Sequence, residues 1–514
     1  MSILFTDVYV YDDASVAGMF GPTDVLVSGD RIAVVGTDAR RRFLTDGTPV
    51  HGEPHREIAG GSRHVLVPGL INAHFHSPAN HMKGSMPSLP LELFMLFESP
   101  ADPELTPTPR EAYLRTMLAA LEMLRSGTTA VQDDAFLMPY PTPEIIDAVM
   151  QAYADAGIRA SVALDQPELP EAQKLPYLRT SADAELAAAL DAPAPLDAAG
   201  LLDAYDYLFE RWHGAENGRL TAAVSISAPQ RVSPEYFGAL DDLSRAHAVP
   251  LFAHMLETKA QRTLMTEQPR FTGRSLVRYT AELGLLSERM NVIHAVWVDD
   301  VDLELIAQAG STIAHNPVSN LRLGSGVAPY RRMLELGIPV SLGVDEAVCD
   351  DSVNLWGVVK TAGLVHNVSG LDSDLWPTAG EVLDSLWRGG AAALLRSDDL
   401  GAVDEGRLAD LALLDLHSAA FTPFNDLRGQ LVYCEQGASV RLTMVGGRVV
   451  FENGSITTVD ETGLLDEARE LFARKLPVIE RARQAAQPLV TPYQAMVRTA
   501  AAAEVGMNRW IGLP

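Results

Sequence analysis

Along the first 66 residues, apolar and polar positions alternate in short runs broken by turn residues. Ile3–Tyr11, Asp24–Val27, Arg31–Val35 and His64–Val67 read as strands, and Ser28-Gly29-Asp30 joins two of them in a hairpin. The same register returns over 400–460, with Ala409–Leu414, Ser439–Val445, the Gly446-Gly447 turn and Arg448–Glu452. Two β-rich stretches at opposite ends of the chain predict one small β-sandwich assembled from both. Residues 67–399 follow a different pattern, in which short apolar runs precede longer stretches of helical period. The predicted strands there are Leu66–Ile71, Thr128–Gln132, Arg159–Leu164, Leu220–Ile226, Val249–Ala253, Asn291–His294, Ser311–Ala314 and Val340–Gly343. Strand–helix alternation implies parallel strands with crossover helices, and eight repeats fit an α/β fold of the (β/α)8 TIM-barrel type. A doubly wound open sheet is the alternative, but no glycine-rich dinucleotide fingerprint follows an early strand. Residues 461–514, rich in Ala, Arg and Glu, predict a helical tail running to Gly512. Residues 181–204, rich in Ala, Asp and Pro, read as an exposed loop or short helical insertion. The expected organisation is therefore 1–66 and 400–460 for the sandwich, 67–399 for the barrel and 461–514 for the tail.

Composition removes several classes of protein. The chain carries 40 basic and 67 acidic residues, a net charge of −27, which argues against a nucleic-acid binder and against an anionic membrane surface as partner. No run of about 20 apolar residues offers a membrane span. Met1-Ser2-Ile3-Leu4 lacks the basic and apolar regions of a secretory signal, so a cytoplasmic location is expected. Cys349 and Cys434 are too few for a disulfide framework or a four-cysteine zinc site, and fit a reducing compartment.

The candidate chemistry lies among the 13 histidines. His51, His55 and His64 occupy a polar connecting stretch and read as surface residues. His74 and His76, two residues apart at the end of the first barrel strand, project to one face. His254 ends the fifth strand, with Glu257 three residues on; His294 ends the sixth; Asp345 follows the eighth. One such residue is unremarkable by itself. Four histidines and an aspartate at the mouths of strands 1, 5, 6 and 8 would surround one cavity of a closed barrel, and neutral imidazole and carboxylate suit zinc and related ions.

In these segments the chain resembles the amidohydrolase superfamily, in its branch of chlorohydrolases and aminohydrolases acting on triazines and other N-heterocycles. The resemblance rests on Pro68-Gly-Leu-Ile-Asn-Ala-His74-Phe-His76, Ala253-His254-Met-Leu-Glu257 and Val292-Ile-His294-Ala. Downstream it continues in Ala314-His315-Asn316-Pro-Val-Ser-Asn320, Ser341-Leu-Gly-Val-Asp345 and Gly406-Arg-Leu-Ala-Asp410. It implies that His74, His76, His254 and Asp345 are metal ligands, that Glu257 is a shuttling acid/base and that His294 orients water or polarises the reacting group. The fourth strand, Leu220–Ile226, lacks the lysine of binuclear relatives, so one divalent ion per subunit is expected, zinc first, with iron, cobalt or manganese as alternatives. Two departures mark the pocket: Gly343-Val-Asp345-Glu346 where many relatives have Gly-Thr-Asp-Gly, and Pro229-Gln230-Arg231 where several purine-type deaminases have Pro-His. His81, Gln230 and Asn316 are the candidate substrate contacts.

The expected activity is hydrolytic deamination of a small nitrogenous heterocycle, by a homodimer or larger homo-oligomer. The alternatives are a same-fold hydrolase of an amide, urea or carbamate, a dechlorinating hydrolase, and more remotely a non-catalytic metal-binding protein. His51-Gly52-Glu53 imitates the His-x-Glu of cytidine-deaminase-like editors, but the chain has no Pro-Cys-x-x-Cys. Gly-x-Ser-x-Gly is absent, which removes the commonest serine-hydrolase signature.

Overall fold

The computed structural model describes residues 2–45, 55–100 and 102–511. His51 and Glu53 lie outside them; His55 is exposed and His64 half-buried. Eight parallel barrel strands are present: β1 Leu70–His76, β2 Thr128–Ala135, β3 Arg159–Leu164, β4 in two pieces (Leu220–Ala222 and Val224–Ser225), β5 Leu251–Met255, β6 Met290–His294, β7 Thr312–His315 and β8 in two pieces (Val340–Leu342 and Asp345–Glu346). The first piece of β4 pairs with β3 and the second with β5. The first piece of β8 pairs with β7 and the second with β1. Every strand therefore has a neighbour on each side, and the ring closes.

Local sequence explains the crossover helices. Pro109–Arg125 starts with a Thr108–Glu111 capping box and a proline in its first turn. Pro143–Ala156 is capped by Thr142 and ends on left-handed Gly157.

The stretch expected as one strand around Leu66–Ile71 is two. His64–Pro68 pairs antiparallel with Leu411–Asp415 in the end sheet, and β1 begins at Leu70. Pro68 offers no N–H to continue the ladder, while Gly69 lies so close to β2 that a Cβ there would meet Thr129 Oγ1 at 2.1 Å. The boundary expected at residue 67 thus falls inside a strand.

The two chain ends form one nine-stranded sheet. Ile3, Phe5 and Val27 from the first half share a core with Leu411, Leu413, Leu442 and Met444 from the second. Ile32 N–H donates to Arg407 O at 2.9 Å across the fold, so the sheet turns back over itself as a sandwich. The short strands His55–Ala59 and Ser455–Ile456 were not anticipated. A buried bidentate pair, Arg159 to Asp410 at 2.8 and 2.9 Å, ties the base of β3 to this sheet.

Residues 181–204 are only partly an insertion. Ala198–Trp212 is a crossover helix burying Leu201, Tyr205, Leu208, Phe209 and Trp212, a helical spacing masked by the surrounding Ala and Asp. The tail folds as α1, Glu461–Ala486, and α2, Val490–Ala502. Helix therefore stops at Ala502 rather than near Gly512, which lies outside the described residues. Ile479 and Ala486 pack on Met82, Met86, Phe94 and Phe97, and Trp510 Nε1 donates to Gly324 O at 2.9 Å. These contacts lay the tail across the C-terminal mouth of the barrel. Among the described residues, no helix is long and apolar enough to cross a membrane.

Candidate metal centre and substrate cavities

All five strand-end residues converge. His74 and His76 on β1, His254 on β5, His294 on β6 and Asp345 on β8 are buried. The imidazole of His74 lies 4.7 Å from that of His76 and 4.9 Å from that of His254, centroid to centroid. Asp345 Oδ1 lies 3.2 Å from His74 Nε2 and 3.5 Å from His76 Nε2.

Hydrogen bonds behind the rings decide which nitrogens face inward. His254 Nδ1 donates to Ser227 O at 2.7 Å, and His76 Nδ1 donates to Asp134 O. A carbonyl only accepts, so in the neutral rings the proton sits on Nδ1 and Nε2 is bare. The two bare Nε2 atoms face each other at 3.3 Å, a repulsive contact that a cation between them would reverse. His74 Nε2 is buried and out of line for a hydrogen bond with Asp345. Burial pushes His74 down to about 3 and His254 well below its ordinary value, which keeps both neutral, the form a metal binds. Three imidazoles and a carboxylate of this kind fit a zinc-class ion. The ligating atoms of His74, His76 and His254 lie within 4.8 Å of one another, as do those of His74, His294 and Asp345.

Asp345 is held as a carboxylate. Burial raises its pKa, but adjacent His74 and the other imidazoles outweigh that and hold it well below the ordinary range. Its Oδ2 accepts from Ser319 Oγ at 2.5 Å. Five residues at the barrel mouth adopt left-handed backbone: Ser227 (φ 58°), Leu256 (φ 55°), His294 (φ 70°), Ala295 (φ 47°) and Asp345 (φ 71°). Non-glycine residues there are strained, and such strain gathers at sites that over-determine their geometry. Gly343 permits the break in β8 just before Asp345, because a Cβ would meet Asn316 Oδ1 at 2.4 Å and His74 Cβ at 2.9 Å.

His294 and Glu257 form the opposite wall. His294 Nδ1 donates to Asn320 Oδ1 at 3.0 Å, leaving Nε2 directed at Glu257 Oε2, 3.6 Å away, and Asp345 Oδ2, 3.9 Å away. Burial, then the nearby Asp345 and Glu92 carboxyls, push Glu257 well above the ordinary carboxylate range, toward its protonated form. Its Oε1 is buried without a hydrogen-bond partner.

One cavity opens onto this centre at His76, and a second adjoins the first through Ser99, Phe136 and Met138. The first, of about 480 Å³, is lined by His76, His81, Glu98, Arg115 and Glu346, with Ile479 of α1 over it. The second, of about 440 Å³, is lined by Glu92, Gln230, Arg231 and Gln261, with Tyr493 of α2 over it. The candidate contacts His81 and Gln230 therefore belong to different cavities. Gln230 Oε1 is buried and unpartnered. Asn316 lines neither; it sits behind His294, its Nδ2 3.3 Å from Nδ1. Cys349 packs with Met82, Phe94 and Val348 as a buried core residue.

Several supporting residues carried no clear signal in the sequence. Ser319 and Asn320 read as turn formers, yet hold Asp345 and His294. Asp165, at the end of β3, has Oδ2 3.8 Å from His76 Nδ1; an acid ending a barrel strand is the pattern that could have singled it out. Asp134, on β2, has Oδ2 3.9 Å from His254 Nδ1 and accepts from Ser225 Oγ. Asp133 instead bonds Ser77 N and Tyr153 Oη.

Comparison with known proteins places the chain in a family. The chain matches the amidohydrolase family over residues 65–450 and belongs to it. Among curated relatives it is 30% identical to the 5'-deoxyadenosine deaminase of Methanopyrus kandleri over 80% of this chain and 87% of that one. It is 32% identical to the 5-methylthioadenosine/S-adenosylhomocysteine deaminase of Nitratidesulfovibrio vulgaris over 88% and 98% of the two chains. Its fold is similar to that of atrazine chlorohydrolase from Arthrobacter aurescens complexed with zinc, with a TM-score of 0.79, 25% identity and coverage of 91% and 99%. An adenosine deaminase from Xanthomonas campestris shares the fold with a TM-score of 0.77, 24% identity and coverage of 92% and 98%.

Proposed function

We propose that this protein is a metal-dependent hydrolase that removes the amino group of an amino-substituted N-heterocycle, an adenine-type base in the first instance. The observation that carries the reading is the cluster of His74, His76 and His254, with Asp345 3.2 Å from His74, set beside a buried carboxyl, Glu257, pushed toward its protonated form. His74, His76, His254 and Asp345 are the ligands of one divalent ion per chain, zinc first. When bound, that ion supplies the Lewis acidity that brings the ionisation of water into the neutral range.

The chain's residues then divide the proton traffic. Asp345, the ionised carboxylate, accepts the proton that water gives up as it adds to the carbon bearing the amino group. Glu257 delivers its proton to the ring nitrogen beside that carbon, relieving the charge that builds there. His294, with Nδ1 held by Asn320, presents Nε2 as an acceptor that orients the attacking water. The proton on Asp345 then passes to the amino group, which leaves as ammonia, while the hydroxyl proton of the adduct returns to Glu257 as the carbon becomes a carbonyl. His81 and Gln230 contact substrate from the two cavities, and Asn316 acts behind His294. The enzyme works in the cytoplasm as a homodimer or larger homo-oligomer; two unpaired cysteines fit that compartment.

Ammonia release tests the reading. The metal-loaded enzyme is offered 5'-deoxyadenosine, 5'-methylthioadenosine, S-adenosylhomocysteine and aminotriazines beside amides, ureas and chlorinated triazines. Ammonia from the heterocycles supports deamination. Turnover confined to amides or ureas, or chloride release alone, moves the activity to another hydrolase of this fold, a reading favoured by the likeness to atrazine chlorohydrolase. Bound metal without turnover of any of them leaves a metal-binding protein.

A further inference from the structure

Arg115, in the second turn of the helix Pro109–Arg125, faces the 480 Å³ cavity that has His76 and Glu346 in its wall. Its guanidinium makes no hydrogen bond or ion pair with any described residue, and its Nε is buried and unpartnered. The helical partner four residues earlier, Glu111, is committed elsewhere: its carboxylate accepts from Thr108 N at 2.7 Å and lies 3.0 Å from Lys475 Nζ. Glu98 Oε2 accepts from Ser99 Oγ at 2.7 Å, and no oxygen of Glu98 comes within ion-pair distance of Arg115. Arg115 is half-buried: its Nε is shut off from water while the guanidinium opens on the cavity, and a partly desolvated cation without a partner is costly. A site that keeps one gains when a ligand supplies the missing anion.

The cavity's other ionisable groups do not supply it. Burial, then the Arg115 charge itself, push His81 well below its ordinary value, so that imidazole is neutral. Neither Glu98 nor Glu346 forms an ion pair with Arg115; Glu346 Oε2 instead faces Cys349 Sγ at 3.6 Å. Asp102 caps its own turn and lies 3.8 Å from Arg481. The rest of the wall is largely apolar, including Met82, Leu105, Leu137 and Ile479. One cation at the wall of an apolar chamber matches a monoanion on an apolar arm better than a phosphate dianion, whose second charge would find no partner.

We propose that Arg115 is the receptor for a carboxylate carried on an apolar arm of the substrate, the arm filling this cavity while the heterocycle meets the metal centre. The position of the heterocycle rests on the function proposed above; the carboxylate site rests on Arg115 and its cavity.

Calorimetric titration of the metal-loaded protein tests it with two matched pairs of ligands. The first is hexanoate against hexanamide. The second is 9-(5-carboxypentyl)adenine against 9-hexyladenine. The wild-type protein is expected to favour each carboxylate by about 10–100-fold, the range of a hydrogen-bonded charge pair. Arg115→Met should erase that preference and Arg115→Lys retain part of it. Arg115→Gln, which keeps the length and polarity, should erase it too, so a folding defect peculiar to the Met variant cannot decide the outcome. No preference in the wild type overturns the proposal. So does a preference that survives Arg115→Met, which would place the carboxylate on the metal. Should none of the aminoheterocycles offered above release ammonia while Arg115 governs carboxylate binding, the deaminase reading falls and the anion site stands.

Discussion

His294 Nε2 faces Glu257 Oε2 at 3.6 Å, an imidazole acceptor set against a carboxyl group that burial pushes toward its protonated form. On the proposed function Glu257 is the proton donor and His294 the orienting group, and Glu257→Gln tests it. The variant should retain metal and lose about 10²–10⁴-fold in kcat. A loss below tenfold would remove Glu257 from the proton path.

The pH profile carries the same assignment with a definite sign. Glu257 acts in its protonated form, and its pKa is raised, so activity should fall as pH climbs through that raised value. The alkaline limb should be missing from the residual activity of Glu257→Gln. An unchanged limb in that variant would assign it to another group.

Ser319 holds Asp345 through a 2.5 Å hydrogen bond on the oxygen turned toward His294. Hydrogen bonds to charged groups contribute about 1.5–3 kcal/mol, so Ser319→Ala should lower kcat/KM by about 10–100-fold with metal still bound. Wild-type kinetics would show that Asp345 is positioned by the β8 backbone and the metal alone.

The buried Arg159–Asp410 pair joins barrel to end sheet. Removing one member strands the other charge, so Asp410→Ala should cost about 3–5 kcal/mol in urea unfolding. A change under about 1 kcal/mol would mean that water satisfies Arg159 in the variant.

Helices α1 and α2 put Ile479 and Tyr493 over the two cavities. Deleting residues 461–514 should therefore raise KM by about tenfold or more while metal content is kept, the pattern of lost substrate binding. Equal KM values would assign the tail to stability or assembly.

The convergence at the barrel mouth was legible in the sequence because a barrel maps strand number onto place: His74, His76, His254, His294 and Asp345 had only to lie at the ends of their strands to meet. Runs such as Val292-Ile293-His294 announce such ends directly. Ser319 and Asn320 were not legible as positioning groups, because Ser and Asn in a loop carry the same signature whether they turn the chain or hold a ligand. Pro68-Gly69 hid a change of sheet within one continuous apolar run. Arg115 had no signal, since a lone arginine on an amphipathic helix normally points to bulk solvent, and only its tertiary surroundings show that it lines a cavity. The docking of the tail was equally silent: the Ala-rich stretch reports helix, while its destination depends on Met82, Phe94 and Phe97, nearly 400 residues away.

The most direct test of the central claim is a metal titration. Protein stripped by chelator and dialysed is titrated with zinc while ammonia release from 5'-deoxyadenosine or another aminoheterocycle accepted by the enzyme is followed. Activity should be absent at the start and rise linearly to a plateau at one ion per chain. His254→Ala and Asp345→Asn should fail to recover it at that stoichiometry. Full turnover in the stripped protein, or a plateau reached equally by both variants, would contradict a single hydrolytic metal held by His74, His76, His254 and Asp345.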